Sequence, residues 1–108
     1  MNIEATDIAR TFGRQTRAYA EFRIFSSLAP FSEVVRRAAV SLLPAAKGHA
    51  VVCSVNLDLE MGTPVRLTAR GRHAFDAINR VAHRIGPALG RHADVVLPRY
   101  GVSSLSLP

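Results

Sequence analysis

Tryptophan is absent from the 108-residue chain, cysteine and lysine each occur once, and only eight side chains are acidic. Each scarcity removes a class of function. A lone Cys53 has no internal disulfide partner and no second thiol for a zinc site, which fits a reducing cytoplasm and a small buried hydrophobe. The acids are scattered, and only Asp58 and Glu60 fall close together on one strand face, where they read as a solvated edge. His49, His73, His83 and His92 show no i, i+4 pairing and no acidic or thiol partner at ligand spacing, so no metal site is expected. Gly62 and Gly71 are isolated turn residues and form no phosphate-binding loop. Neither an enzyme, a cofactor nor a small-molecule substrate is therefore expected. Long apolar runs are also missing. Met1 to Arg10 carries Glu4 and Asp7, and later apolar stretches are broken by Ser41, Pro44 and Lys47, so neither a signal peptide nor a membrane span is expected.

What is present is enough for one globular domain. Apolar residues make up 48% of the chain, and with so few aromatics the core must come from Ala, Val, Leu, Ile and a handful of Phe. The net charge is +6, and it is unevenly placed. Residues 1–60 nearly balance their bases and acids, whereas residues 61–108 hold seven Arg against Asp76 and Asp94. Such asymmetry favours a polyanionic partner, because arginines that neutralise phosphates release condensed counterions. Arginine's planar fork also suits phosphates. An arginine-rich solvated surface would look the same from charge alone.

Periodicity supplies the elements. Residues 1–6 alternate as a first strand, and Ala18, Phe22, Phe25 and Ala29 recur at helical spacing in a first helix over about 16–29, with Thr16 as its N-cap candidate and Pro30 as its stop. Phe31, Val34 and Val35 are expected beneath the turn that follows. Ala38, Val40 and Leu42 alternate with Arg37, Ala39 and Ser41 in a second strand. Val51, Cys53, Val55, Leu57 and Leu59 alternate with Val52, Ser54, Asn56, Asp58 and Glu60 in a third. Val65, Leu67 and Ala69 return as a fourth, ending at Gly71. Phe75, Ile78, Ala82, Ile85 and Leu89 then form one helical stripe, with Asp76, Arg80, His83, Arg84 and Arg91 opposite. Gly86-Pro87 predicts a kink or a division into two helices. From Ala93 to Pro108 no period is sustained, so residues 93–108 read as an irregular tail. The order β-α-β-β-β-α predicts an α+β fold, a four-stranded sheet covered on one face by both helices.

The segment from Val65 to Arg80 resembles the strand-to-helix passage of ribosome hibernation-promoting factors and ribosome-associated inhibitors, the short forms of that family. Gly71, Phe75, Ala77, Ile78 and Asn79 occupy its recurring places, and Arg80, Arg84, Arg91 and His92 look like the basic residues that follow. Leu28, Phe31, Val35, Val40 and Leu42 similarly resemble the end of its first helix and its second strand. The likeness spans roughly residues 16–92. Asn79 departs from it where an Asp is frequent, Gly86-Pro87 interrupts a usually continuous helix, and helix one offers only Arg17 and Arg23. The tail is too short for the dimerisation domain of the long forms.

The resemblance implies a ribosome-binding domain over residues 1–92 that occupies the messenger and transfer RNA channel of the small ribosomal subunit under stress and blocks translation by occlusion. Its partners would be the small subunit and its rRNA, with no membrane and no cofactor. The candidate RNA-binding residues are Arg36, Arg37, Arg66, Arg70, Arg72, His73, Arg80, Arg84, Arg91 and His92. A general double-stranded RNA-binding module would use many of the same arginines. A scaffold with an exposed apolar sheet face is disfavoured by the polar Arg66, Thr68, Arg70, Ser54, Asn56 and Asp58 on that face.

Overall fold

The computed structural model describes residues 2–7, 10–46 and 48–96, the side chains of Asp7 and of residues 91–96 excepted. Four strands, β1 (Asn2–Asp7), β2 (Val35–Pro44), β3 (Val51–Leu59) and β4 (Val65–Gly71), lie side by side in the order β1-β2-β3-β4. β1 runs parallel to β2, and the other two neighbouring pairs are antiparallel. A parallel pair cannot be joined by a tight turn, and helix α1 (Gly13–Leu28) makes the crossover. A short 3-10 turn, Ala29–Phe31, contains Pro30 and ends α1, while Val34 and Phe31 pack partly on the core and Val35 lies within it. Helix α2 (Ala74–Val96) follows β4. The expected β-α-β-β-β-α order and α+β class are those observed.

One face of the sheet is apolar because alternate side chains point the same way. Val35, Ala38, Val40 and Leu42 of β2 and Val51, Cys53, Val55, Leu57 and Leu59 of β3 are buried under the helices. β2 begins two residues earlier than its alternation predicts, because a register shift between Val35 and Arg37 leaves both Arg36 and Arg37 exposed and masks the period. The other face is bare and polar. Thr6, Ser41, Ser54 and Thr68 align in one row across it, and the hydroxyls of Ser54 and Thr68 are 3.3 Å apart.

Several expectations for the helices are corrected. In α1 the buried residues are Thr16, Ala20, Ile24 and Leu28, so the stripe of Ala18, Phe22, Phe25 and Ala29 faces solvent. Thr16 is inside the helix and does not cap it. The reason lies in the polar flanks. With the aliphatic stripe inward, Tyr19 and Arg23 reach Asn79 of α2, and Glu21 accepts the outward N–H of Ala5 on the edge strand β1 at 3.2 Å. The aromatic stripe inward would strand all of them.

In α2, Ile78, Ala82, Ile85 and Leu89 are buried as expected, joined by Ala77 and Val81, but Phe75 stays 45% exposed and makes a T-shaped contact with Tyr19. α2 is one helix through Pro87, with no division at Gly86-Pro87. Gly86 and Pro87 sit on its exposed side, where losing one helix hydrogen bond costs less than in the core, while burial of Ile85 and Leu89 on either side holds the register. The helix extends to Val96 and so takes in the first four residues of the expected tail. Residues 97–108 of that tail lie outside the described residues.

Gly71 is required by proximity. A Cβ there would come within 2.8 Å of the Ala77 Cα and of the Asp76 main-chain carbon, so only glycine lets the first turn of α2 settle on the end of β4.

Candidate nucleic-acid interface

The β4–α2 junction is built from the residues that cap the helix. His73 precedes α2, and its Nδ1 accepts the Asp76 N–H at 3.2 Å while its carbonyl accepts the Ala77 N–H at 3.0 Å. Asp76 reaches back in return, its carboxylate accepting the Arg72 N–H at 2.9 Å. This reciprocal arrangement satisfies donors at the helix start that have no partner within the helix. His73 is thus a cap whose Nδ1 is already used, which a sequence reading cannot distinguish from a free basic ligand.

Asp76 also accepts Arg80 Nε at 3.0 Å, one turn along. The Arg72 N–H, followed by the Arg80 guanidinium, holds its carboxyl below the usual carboxylate range. Arg80 is thereby oriented between two open clefts. One, of ≈ 400 Å³, is lined by His49, Arg70, Arg72, Asp76 and Arg80. The other, of ≈ 440 Å³, is lined by Leu67, Arg80, His83, Arg84 and Pro87. Arg84 closes the strand edge between them by donating to the Thr68 carbonyl. Arg70, Arg72, Arg80 and Arg84 therefore form one continuous basic ridge, and Arg66 extends it along β4 on the bare face of the sheet.

The remaining candidates are not part of that ridge. Arg37 lies two strands away on β2, a lateral distance of about 10 Å, and pairs with Glu4 at 3.4 Å. Arg36, beside it at the bulge, pairs with Glu60 at 3.6 Å. By contrast, no carboxylate among the described residues pairs with Arg66, Arg70 or Arg84. The side chains of Arg91 and His92 lie outside the described residues. Two residues join the site that sequence reading left out of it. His83 was legible as a neighbour of Arg84 on the polar side of α2, but His49 arrives from the β2–β3 loop and carries no local signal. Among the described residues no three His, Cys, Asp or Glu side chains gather as metal ligands, and no helix is long and apolar enough to cross a membrane.

No protein-family model matches the chain, and no curated protein matches it significantly. Solved structures do. A ribosomal subunit interface protein from Coxiella burnetii superposes with a TM-score of 0.72 at 13% identity, over 85% of this chain and 97% of that one. The N-terminal domain of Thermus thermophilus Protein Y superposes with a TM-score of 0.63 at 21% identity, over 84% and 94%. The chain therefore has the fold of the Coxiella burnetii interface protein and of the Protein Y N-terminal domain, the fold that the resemblance of residues 16–92 led one to expect.

Proposed function

We propose that this protein binds the ribosome through the basic ridge of β4 and α2, on the small subunit in the channel for messenger and transfer RNA, and so inhibits translation in the cytoplasm under stress by occlusion. No bond is made or broken in this role, and no cofactor enters it. The observation that carries the reading is the run of Arg70, Arg72, Arg80 and Arg84 around two clefts that share Arg80. Guanidinium groups spaced along a rigid edge suit the phosphates of folded RNA, which is read more by shape than by sequence. The fold shared with a ribosomal subunit interface protein supports the same partner.

The ridge and the β2 arginines should contribute unequally. Arg36 and Arg37 must give up Glu60 and Glu4 before they meet a phosphate, as Arg80 must loosen its pair with Asp76, whereas Arg70 and Arg84 release no carboxylate.

Co-sedimentation with purified small subunits tests the proposal. The protein should travel with the subunit, be displaced by messenger or transfer RNA, and lose binding in R80E/R84E while R36A/R37A binds nearly as the parent does. Preference for free RNA duplexes over subunits would transfer the ridge to a double-stranded RNA-binding role. Unaltered binding by R80E/R84E would remove the ridge from the function.

A further inference from the structure

Helix α1 turns two phenylalanine rings to solvent. Phe22 is 66% exposed and Phe25 53%, and the exposed Ala18 and Ala29 continue the same stripe. The fold makes no use of them. α1 packs through Ala20, Ile24 and Leu28 and is tied to α2 through Tyr19 and Arg23, whereas Phe12 and Phe31 lie against the core and Phe75 against Tyr19. Long side chains do not shield the rings, because their neighbours on the stripe are alanines and the Ser26 hydroxyl is turned back to the Phe22 carbonyl at 3.0 Å.

The net positive charge of α1 as a whole selects the occupant of the stripe. α1 carries Arg14, Arg17 and Arg23 against Glu21 alone, and Glu21 is engaged by the Ala5 N–H. A second copy of this chain would set that positive helix against its like, an arrangement that repels. A partner that is anionic and also presents flat apolar faces satisfies both features. Unpaired RNA bases are such faces, and they stack on exposed aromatic rings with little regard to sequence.

We propose that Phe22 and Phe25 stack on unpaired bases of an RNA strand whose phosphates lie against the arginines of α1. The inference rests on the RNA-binding reading above and adds to it a second, base-contacting surface on the helix layer, distinct from the β4 ridge. Stacking is short-ranged and carries no charge, so its loss changes affinity without changing the number of phosphates neutralised.

The full chain tests it in two measurements. In the first, F22A/F25A and F22L/F25L are titrated against purified small subunits at several salt concentrations. Both variants should weaken binding by about tenfold or more, with the salt slope of the parent and an unchanged melting temperature. Recovery of full affinity in F22L/F25L would assign the stripe to an apolar protein contact and overturn the proposal, as would parental affinity in F22A/F25A. In the second, the indole fluorescence of F22W is followed on adding a single-stranded oligoribonucleotide and, separately, small subunits. Quenching by both is expected. Quenching by the oligoribonucleotide without subunit binding would retain the stacking surface and reject the ribosome. Subunit binding with unquenched fluorescence would do the reverse.

Discussion

The guanidinium of Arg84 on α2 donates to the main-chain carbonyl of Thr68 on β4. β4 is an edge strand, so half of its main-chain groups face away from β3 without a partner in the sheet, and such edges invite unwanted pairing. Arg84 covers one of them. The opposite edge is treated similarly, with Glu21 of α1 accepting the N–H of Ala5 on β1. The same side chain thus guards the sheet and supplies positive charge to the ridge. R84A should lower stability by less than about 1 kcal/mol, since an exposed bond competes with water. If Arg84 meets a phosphate, the salt slope of RNA binding should fall by about one. Denaturant unfolding and a salt titration check the two parts.

Asp76 ties the start of α2 to Arg72 and Arg80, and these contacts favour its ionised form. A carboxyl held below its ordinary value contributes stability that is present above the unfolded value of about 3.9 and lost as the pH falls through the folded one. The melting temperature of D76N should therefore lie below that of the parent at neutral pH, and the two should converge once the pH drops well under the carboxylate range. D76N also frees Arg80, so binding to a polyanion at low salt should tighten. A constant difference in melting temperature down to strong acid would exclude this role for the carboxylate.

Asn79 joins the two helices, its Oδ1 accepting Tyr19 OH at 2.8 Å and Arg23 Nε at 3.1 Å. N79L leaves both donors without an acceptor and should cost about 1–3 kcal/mol in denaturant unfolding. N79D offers a charge to Arg23 at the same place. It should match or exceed the parent at neutral pH and lose that advantage as the carboxylate protonates below about pH 4.

Gly71 admits no side chain, because Ala77 and Asp76 occupy the space a Cβ would need. G71A must push α2 off the end of β4 and should destabilise by about 1–3 kcal/mol or more, the usual cost of overpacking. The cleft between Arg70, Arg72 and Arg80 should widen with it, so binding at the ridge should weaken along with the melting temperature.

Cys53 is buried in β3, and burial pushes its thiol up to about 12. The thiolate is the reactive form, so alkylation of the native protein at pH 8 should proceed only through unfolding. The unfolded thiol ionises near pH 8.5, and native stability should therefore fall as the pH rises beyond that value. Rapid modification in native buffer would contradict the burial.

How much was legible in the chain differs between its strands and its first helix. The alternation of Val51 to Leu59 and of Val65 to Gly71 marks their strands and their buried face, because a sheet side chain has only two directions to choose from. α2 was equally plain, since Ile78, Ala82, Ile85 and Leu89 leave one stripe to bury. α1 offered two apolar stripes, and size favoured the wrong one. The aromatic rings of Phe22 and Phe25 are the larger apolar surface, yet the choice went to Ala20, Ile24 and Leu28, whose polar flanks alone find Asn79 and Ala5.

By itself, the order of residues determined the element sequence, the one-faced sheet and the concentration of arginine in the later half, because these depend on periodicity and count. Only the tertiary structure decided which arginines stand together. Arg36 and Arg37 stand apart from the ridge, paired with Glu60 and Glu4, and His73 becomes a helix cap. His49 is carried to the ridge by a loop, and two rings are left in water on α1. Those outcomes follow from contacts between residues far apart in the chain, and no local pattern encodes the partner that a side chain will meet across a fold.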